Sequence, residues 1–176
     1  LGKNVTDLLI DWRSEGAKIS RIFRNIDNIK TIPLITNIKS RQIAKDTYNI
    51  PEKATISVSI GSLYKVLGDP KLDYFKTIRK LLEMFPSHYH LFVCDSPENV
   101  SEKYLPEDQD IRKRLIITGP FSDLGPVYGV ADFLIETFPL AGGTVRVEAM
   151  ACKLPIVAFR NIKAPILSES DALPSG

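Results

Sequence analysis

Apolar and polar positions along this chain switch between two periods, and the switching predicts a sheet wound with helices. Short β-rich apolar runs stand at TISVSI (55–60), HLFVC (90–94), LIIT (115–118), DFLIE (132–136) and PIVAF (155–159). Between the first two, Leu72, Phe75, Ile78, Leu81, Leu82 and Phe85 recur at helical spacing after an Asp69-Pro70 start. Shorter helical patterns occupy 123–131 and 144–152. Strands separated by helices predict an α/β fold, a Rossmann-like parallel sheet with helices on both faces and right-handed crossovers. Ligands of such sheets bind beyond the carboxyl ends of the strands, which gathers the turns after Ile60, Cys94, Thr118 and Glu136.

The first fifty residues follow a different pattern. Residues 5–29 place Leu8, Leu9, Trp12, Ile19, Ile22, Phe23 and Ile26 at roughly helical spacing, with a break near Gly16, and predict an amphipathic helical element. From Lys30 to Pro51 come short apolar runs, Pro33, Asn37 and a polar helix that starts at Ser40 and ends near Tyr48, which together predict a linker. The expected organisation is a helical element and linker over 1–50, continuing a preceding region, and a Rossmann-like domain over 51–176 that is truncated before its last helices. A chain that begins at Leu1 is expected to be a piece of something longer.

The stretch ETFPLAGGTVRVEAMACKLPIVAF (136–159) carries the most chemistry. An acidic residue closes a strand, a Gly-Gly-Thr turn opens a short helix, and a strand beginning at Pro155 follows. Gly142 and Gly143 lack the Cβ that keeps a ligand off the backbone, and Thr144 is a good N-cap. The free N–H groups of Gly143, Thr144 and Val145, with the positive end of the helix dipole, suit a phosphate. Glu148, the helix's one carboxylate, suits a neutral diol such as a ribose beside it.

Other turns offer weaker candidates. Gly61-Ser62-Leu63-Tyr64-Lys65 follows the first strand, and Lys65 with Ser62 would reach a pyrophosphate held at Gly142-Gly143-Thr144. Gly119 after the third strand would let the backbone approach a base or ribose, or is simply a turn. His88 and His90 share one face at i, i+2 spacing, but no Cys or carboxylate is placed to complete a metal site, so the run reads as the start of a surface strand. Asp108-Gln109-Asp110 has an Asp-x-Asp pattern inside a polar segment and reads as a solvated loop rather than a metal ligand pair. No metal is expected.

Composition narrows the class. A chain of 176 residues, 44% hydrophobic and 25% charged, supports one well-buried core with an appendage. Residues 1–50 carry 9 Lys and Arg against 5 Asp and Glu, net +4, and the remainder 14 against 16, net −2. This excess reads as a solvated helix face, and no basic stripe points to nucleic acid. Cys94 and Cys152 have no second thiol nearby, which fits a reducing compartment, the cytoplasm. There is no apolar stretch of about 18 residues for a transmembrane segment and no secretory pattern at the N-terminus.

The two glycine turns together resemble the C-terminal, nucleotide-sugar-binding domain of glycosyltransferases built from two facing Rossmann-like domains, the GT-B architecture. The similarity is greatest to the branch of the protein O-GlcNAc transferases and their bacterial relatives. There the first turn reads Asn/Ser-x-Leu-Tyr-Lys-Ile before an Asp-Pro-started helix, and here Gly61-Ser62-Leu63-Tyr64-Lys65-Val66 precedes Asp69-Pro70. The second turn, Pro139 to Met150 and then Leu154-Pro155-Ile156-Val157, is similar to the branch's Pro-x-x-Gly-Gly/His-Thr-Thr-x-x-Asp-Ala-Leu-x-x-Gly-x-Pro-Val-Val.

The resemblance implies that Lys65 contacts the diphosphate, that Gly143 and Thr144 hold phosphate oxygens, and that Glu148 stands for the ribose-binding acid. It departs at Ser62, where the branch has Gln ahead of Leu-Tyr-Lys, at Val145, which replaces the second Thr, at Lys153 where Gly is usual, and at Leu140, where retaining relatives carry the first Glu of Glu-x7-Glu. The resemblance therefore implies an inverting, metal-independent transferase whose donor substrate is a UDP-sugar and which uses no cofactor. The acceptor, a protein or glycan, would be held by the facing N-terminal domain, so this piece is not expected to act alone. Two alternatives stand beside it: a non-catalytic partner subunit of the same architecture that stabilises a true transferase, and a sugar-nucleotide epimerase.

Overall fold

The computed structural model describes residues 9–11, 29–31, 36–67 and 71–159. The chain divides into two compact units, one formed by Leu1–Ile35 with Arg160–Gly176 and the other by Thr36–Phe159. In the first, strands β1 (Leu9–Asp11) and β2 (Ile29–Thr31) pair in parallel, Leu9 opposite Ile29 and Asp11 opposite Thr31. The helix expected over 5–29 is thus a strand at Leu9–Asp11. The run Leu8-Leu9-Ile10 is continuously apolar, and a helix and a buried strand share that pattern. The rest of that prediction lies outside the described residues.

The second unit is the predicted α/β sheet. Strands β3 (Thr55–Ile60), β4 (His88–Val93), β5 (Leu115–Thr118), β6 (Phe133–Ile135) and β7 (Ile156–Val157) are all parallel, in the order β5-β4-β3-β6-β7. Helices α1 (Tyr74–Met84), α2 (Gln109–Arg114), α3 (Gly125–Val130) and α4 (Gly143–Ala151) connect them. The chain winds outward from β3 through β4 to β5 and then returns to the far side of β3 with β6 and β7. The order reverses between β3 and β6, and the carboxyl ends at such a switch point form a crevice.

Alternation along the strands supplies two cores. Ile56, Val58 and Ile60 join Leu91, Val93, Val127, Tyr128, Leu134 and Ala149 on the face covered by α3 and α4. Phe92, Cys94, Leu115 and Ile135 join Tyr74, Phe75, Ile78 and Leu82 of α1 on the other. Each fully buried side chain of this size contributes about 1.5–3 kcal/mol. Helix α1 starts later than its sequence signal: Asp73 caps it by accepting from Lys76 N at 2.9 Å, while the Asp69-Pro70 pair lies outside the described residues. Arg114 closes its far end, donating Nη1 to Leu82 O at 2.7 Å and Phe85 O at 3.2 Å.

The linker expected up to residue 50 belongs, from Thr36, to the sheet unit. Arg41 N donates to Gly125 O at 2.9 Å, and Lys45 Nζ to Ala54 O at 2.7 Å. Gly129 permits this packing, since a Cβ there would lie 2.1 Å from Arg41 O. The polar helix expected near Tyr48 is a single 3-10 turn, Lys45–Tyr48.

His88 and His90 are not at a surface. Both are buried, because β4 is flanked by β3 and β5 and its His88/His90 face lies under α1. Ser57 Oγ lies 2.8 Å from His88 Nε2 and 2.7 Å from His90 Nδ1, and Tyr74 Oη lies 2.8 Å from His90 Nε2. Burial, with His88 alongside, holds the His90 pKa down at about 3. The unfolded chain therefore binds a proton below about pH 6.5 that the folded chain refuses until about pH 3. His90 should make stability fall with acid across that window by about 1.4 kcal/mol per pH unit and have no effect above it. Urea midpoints between pH 6.5 and 4 check this: His90→Gln should show a shallower slope than the parent, and equal slopes would refute it.

Candidate functional site

Two turns meet where the strand order reverses. After β3, Gly61 and Ser62 lead into a 3-10 turn, Leu63–Val66, that carries Lys65. After β6, residues 136–142 lead into α4. Leu140 N donates to Lys65 O at 3.3 Å, and Thr137 Oγ1 donates to Leu140 O at 2.9 Å. A Cβ on Gly61 would stand 3.1 Å from Thr137 Cγ2, so the turns are packed as well as bonded.

The contact has a chemical consequence. Lys65 Nζ lies 3.5 Å from where a Cβ on Gly142 would stand, so the ammonium sits at the head of α4. The first intrahelical bond is Arg146 N to Gly142 O, which leaves the N–H groups of Gly143, Thr144 and Val145 ahead of it without a helical acceptor. The cap is Gly142 rather than Thr144, one reason being that Gly142 already has the extended φ of −113° and ψ of 104° that a cap requires. In α1 and α2 the corresponding position holds Asp73 and Asp108, whose carboxylates take the free N–H groups. At α4 no cap side chain does so. A cation, three N–H groups without a helical acceptor and the positive end of a helix dipole are features whose chemistry suits an oxyanion.

The other candidates divide. Ser62 faces Asp95 rather than Lys65. Asp95 Oδ1 accepts from Leu63 N at 3.0 Å, and this bond, then one from the Ser62 hydroxyl, holds its pKa below the usual carboxylate range. Asp95, Ser62, Pro120 and Phe121 line a crevice of about 220 Å³ running from the Lys65 turn across the ends of β4 and β5. Gly119, which precedes Pro120 of that lining, is a glycine for a structural reason. Its φ is +113°, and a Cβ there would stand 2.8 Å from Cys94 O, so its missing side chain admits the neighbouring strand.

Glu148, half-buried one turn into α4, accepts from Tyr128 Oη at 2.8 Å through Oε2. Burial, then the Glu148 carboxylate, pushes the Tyr128 pKa up, so Tyr128 remains a donor that orients Glu148. No local pattern announces this partnership, because Tyr128 lies in an apolar helix twenty residues upstream. Lys153, where the resembling branch has Gly, takes a left-handed φ of 58° after the helix. That is the conformation for which glycine is usual, and a side chain there costs about 1–2 kcal/mol.

A further residue escaped the sequence. Arg146 is 1% exposed, and donates Nε to Glu136 Oε1 at 3.1 Å and Nη2 to Glu136 Oε2, a bidentate pair buried behind the turn. A charged residue inside an otherwise ordinary helix segment reads as solvated until its partner is known.

Asp108-Gln109-Asp110 opens α2 instead of forming a loop: Asp108 Oδ1 accepts from Asp110 N at 2.8 Å and Ile111 N at 3.0 Å. Among the described residues no group of three His, Cys, Asp or Glu is placed to hold a metal. A larger cavity, about 370 Å³, lies between α1 and the ends of β6 and β7; its wall is mostly apolar, with Leu72, Ile78, Leu81, Phe138 and Phe159, and also includes Lys71, Asp73 and Glu136. No described helix is long and apolar enough to cross a membrane.

No protein-family model matches the sequence, and no curated protein matches it. Solved structures match the fold. WaaG, a glycosyltransferase involved in lipopolysaccharide biosynthesis, is similar with a TM-score of 0.65 and 17% identity, over 88% of this chain and 45% of its own. TarM is similar with a TM-score of 0.64 and 14% identity, over 90% and 30%. A mutant O-GlcNAc transferase of Thermobaculum terrenum has a TM-score of 0.51 and 16% identity, over 74% and 26%. These are glycosyltransferases of the GT-B architecture, and this chain has the fold of one Rossmann-like half of it. It spans less than half the length of each.

Proposed function

We propose that this chain is the donor-binding half of an inverting, metal-independent glycosyltransferase that uses a UDP-sugar. The observation that supports the reading most is the meeting of Lys65 Nζ with Gly142 at the head of α4, on the switch point of the sheet. When the bond from the sugar to the diphosphate breaks, negative charge grows on the leaving oxygen. A fixed ammonium and a helix N-terminus stabilise that charge more than they stabilise the intact donor. Glu148, held by Tyr128, accepts hydrogen bonds from the ribose, and the crevice beside Asp95 receives the base. The acceptor and the base that activates it belong to a facing domain, so transfer requires a longer protein.

A second reading, a non-catalytic partner that keeps the fold, has one observation in its favour. Leu140 stands in the phosphate turn where retaining relatives carry a carboxylate. Calorimetric titration with UDP tests the proposal: micromolar to millimolar binding supports the donor site, and no detectable binding favours the partner subunit. The epimerase alternative asks for a histidine beside the sugar. Both histidines of this chain lie in the core, engaged with Ser57 and Tyr74.

Two outcomes follow from the reading. Glu148→Gln should reduce UDP affinity by about 3- to 10-fold, since the amide keeps an acceptor but loses the charge that strengthens hydroxyl hydrogen bonds. Inorganic diphosphate should bind as before, and equal losses for both ligands would detach Glu148 from the ribose. Lys65 and the α4 terminus make a divalent ion redundant, so UDP should bind equally well in EDTA and in excess Mn²⁺. Binding abolished by chelation, and also by Asp108→Asn with Asp110→Asn, would move the donor site elsewhere.

A further inference from the structure

We infer that the buried Glu136–Arg146 pair positions the anion-binding turn and is not what holds the fold together; its functional consequence rests on the donor-site reading above. The pair brackets the turn. Glu136 is fixed to the sheet, its N–H donating to Val157 O at 2.9 Å, and Arg146 is fixed to the first turn of α4 through Arg146 N and Gly142 O at 3.3 Å. The two-point fork, Nε to Oε1 and Nη2 to Oε2, sets both the distance and the rotation between sheet end and helix head.

Apart from the fork, helix α4 is tied by Val145 packing against the core and by Tyr128 Oη donating to Glu148 Oε2, further along the helix. Its buried residues are Arg146 and Ala149, whereas α1 buries Tyr74, Phe75, Ile78 and Leu82. An alanine contributes little apolar area and no ridge, so the fork is the contact that ties the head of the helix to the end of the sheet. A slide of about 1 Å would carry the Gly143, Thr144 and Val145 N–H groups out of hydrogen-bond range of a phosphate held by Lys65.

Stability alone would not select such a pair. The desolvation of two buried charges roughly cancels their attraction, and replacing both by apolar residues of similar volume is commonly neutral, while removing one partner strands the other charge. The double variant Glu136→Leu with Arg146→Met therefore separates positioning from folding. Its thermal midpoint should stay within about 3 °C of the parent. Backbone hydrogen exchange over 137–146 should quicken at least roughly tenfold, with α1 and β4 unchanged. Inorganic diphosphate, followed by calorimetry, should bind at least about tenfold more weakly.

Native exchange rates over 137–146 in the folded double variant would overturn the inference. So would a double variant that fails to fold, because the pair would then be a structural requirement. Should the parent protein bind no diphosphate while exchange responds as described, the donor-site reading fails and the positioning role stands.

Discussion

Replacing Lys65 with alanine is expected to weaken UDP binding by on the order of 10- to 100-fold, the equivalent of one charge-assisted contact of roughly 1.5–3 kcal/mol. Lys65 is half-buried on a 3-10 turn whose backbone is bonded to Leu140, and its ammonium is delivered to Gly142. Its side chain is not part of either apolar core, so the melting temperature should not move. Lys65→Arg should restore only part of the affinity, since a planar fork does not occupy the place of a compact ammonium. Calorimetry decides the matter, and an unchanged dissociation constant in Lys65→Ala would remove Lys65 from the site.

Gly119→Ala is expected to destabilise the sheet unit by roughly 2–4 kcal/mol. Two costs combine there. A φ of +113° is strained for any residue with a Cβ, and the new methyl would meet Cys94 O at 2.8 Å and Val93 Cγ1 at 2.9 Å. Neither neighbour can step aside, because Val93 pairs with Thr118 in the sheet and Cys94 N donates to Thr118 O at 2.9 Å. The urea midpoint should fall accordingly. A variant as stable as the parent would show that this turn has another conformation open to it.

How far the residues announced these features depends on the range over which each signal acts. The five strands of the sheet, and the parallel order implied by their alternation with helices, were legible because apolar periodicity is local and strong. TISVSI and LIIT coincide with β3 and β5. The β1 strand was not legible, since three apolar residues inside a longer helical spacing fit either period. The turns carrying Lys65 and Gly142-Gly143 stand out in the sequence by their chemistry and by the resemblance, and the fold sets them side by side. The cap was misassigned to Thr144 because a hydroxyl is a strong capping signal and the backbone angles of Gly142 are not written in the sequence.

Long-range partners were hidden altogether. Tyr128 holding Glu148, Asp95 holding Ser62 and Glu136 gripping Arg146 each join separate elements, and nothing in the chemistry of one residue names the other. The same blindness placed His88 and His90 at a surface. Their partners, Ser57 and Tyr74, lie on β3 and α1, and only the fold brings them over the imidazoles.

In the proposed donor site a nucleoside diphosphate is expected to bind with its phosphates between Lys65 and the head of α4. The most direct test is a backbone amide NMR titration of the ¹⁵N-labelled protein with UDP, with inorganic diphosphate run alongside. The account predicts that the largest shifts from both ligands fall on Gly143, Thr144 and Val145 and on the turn carrying Gly61 to Lys65, with UDP adding shifts near Asp95 and Phe121. Shifts centred on Asp108 to Ile111 or on the apolar cavity beside Leu81 and Phe159, with residues 143–145 unmoved, would contradict it.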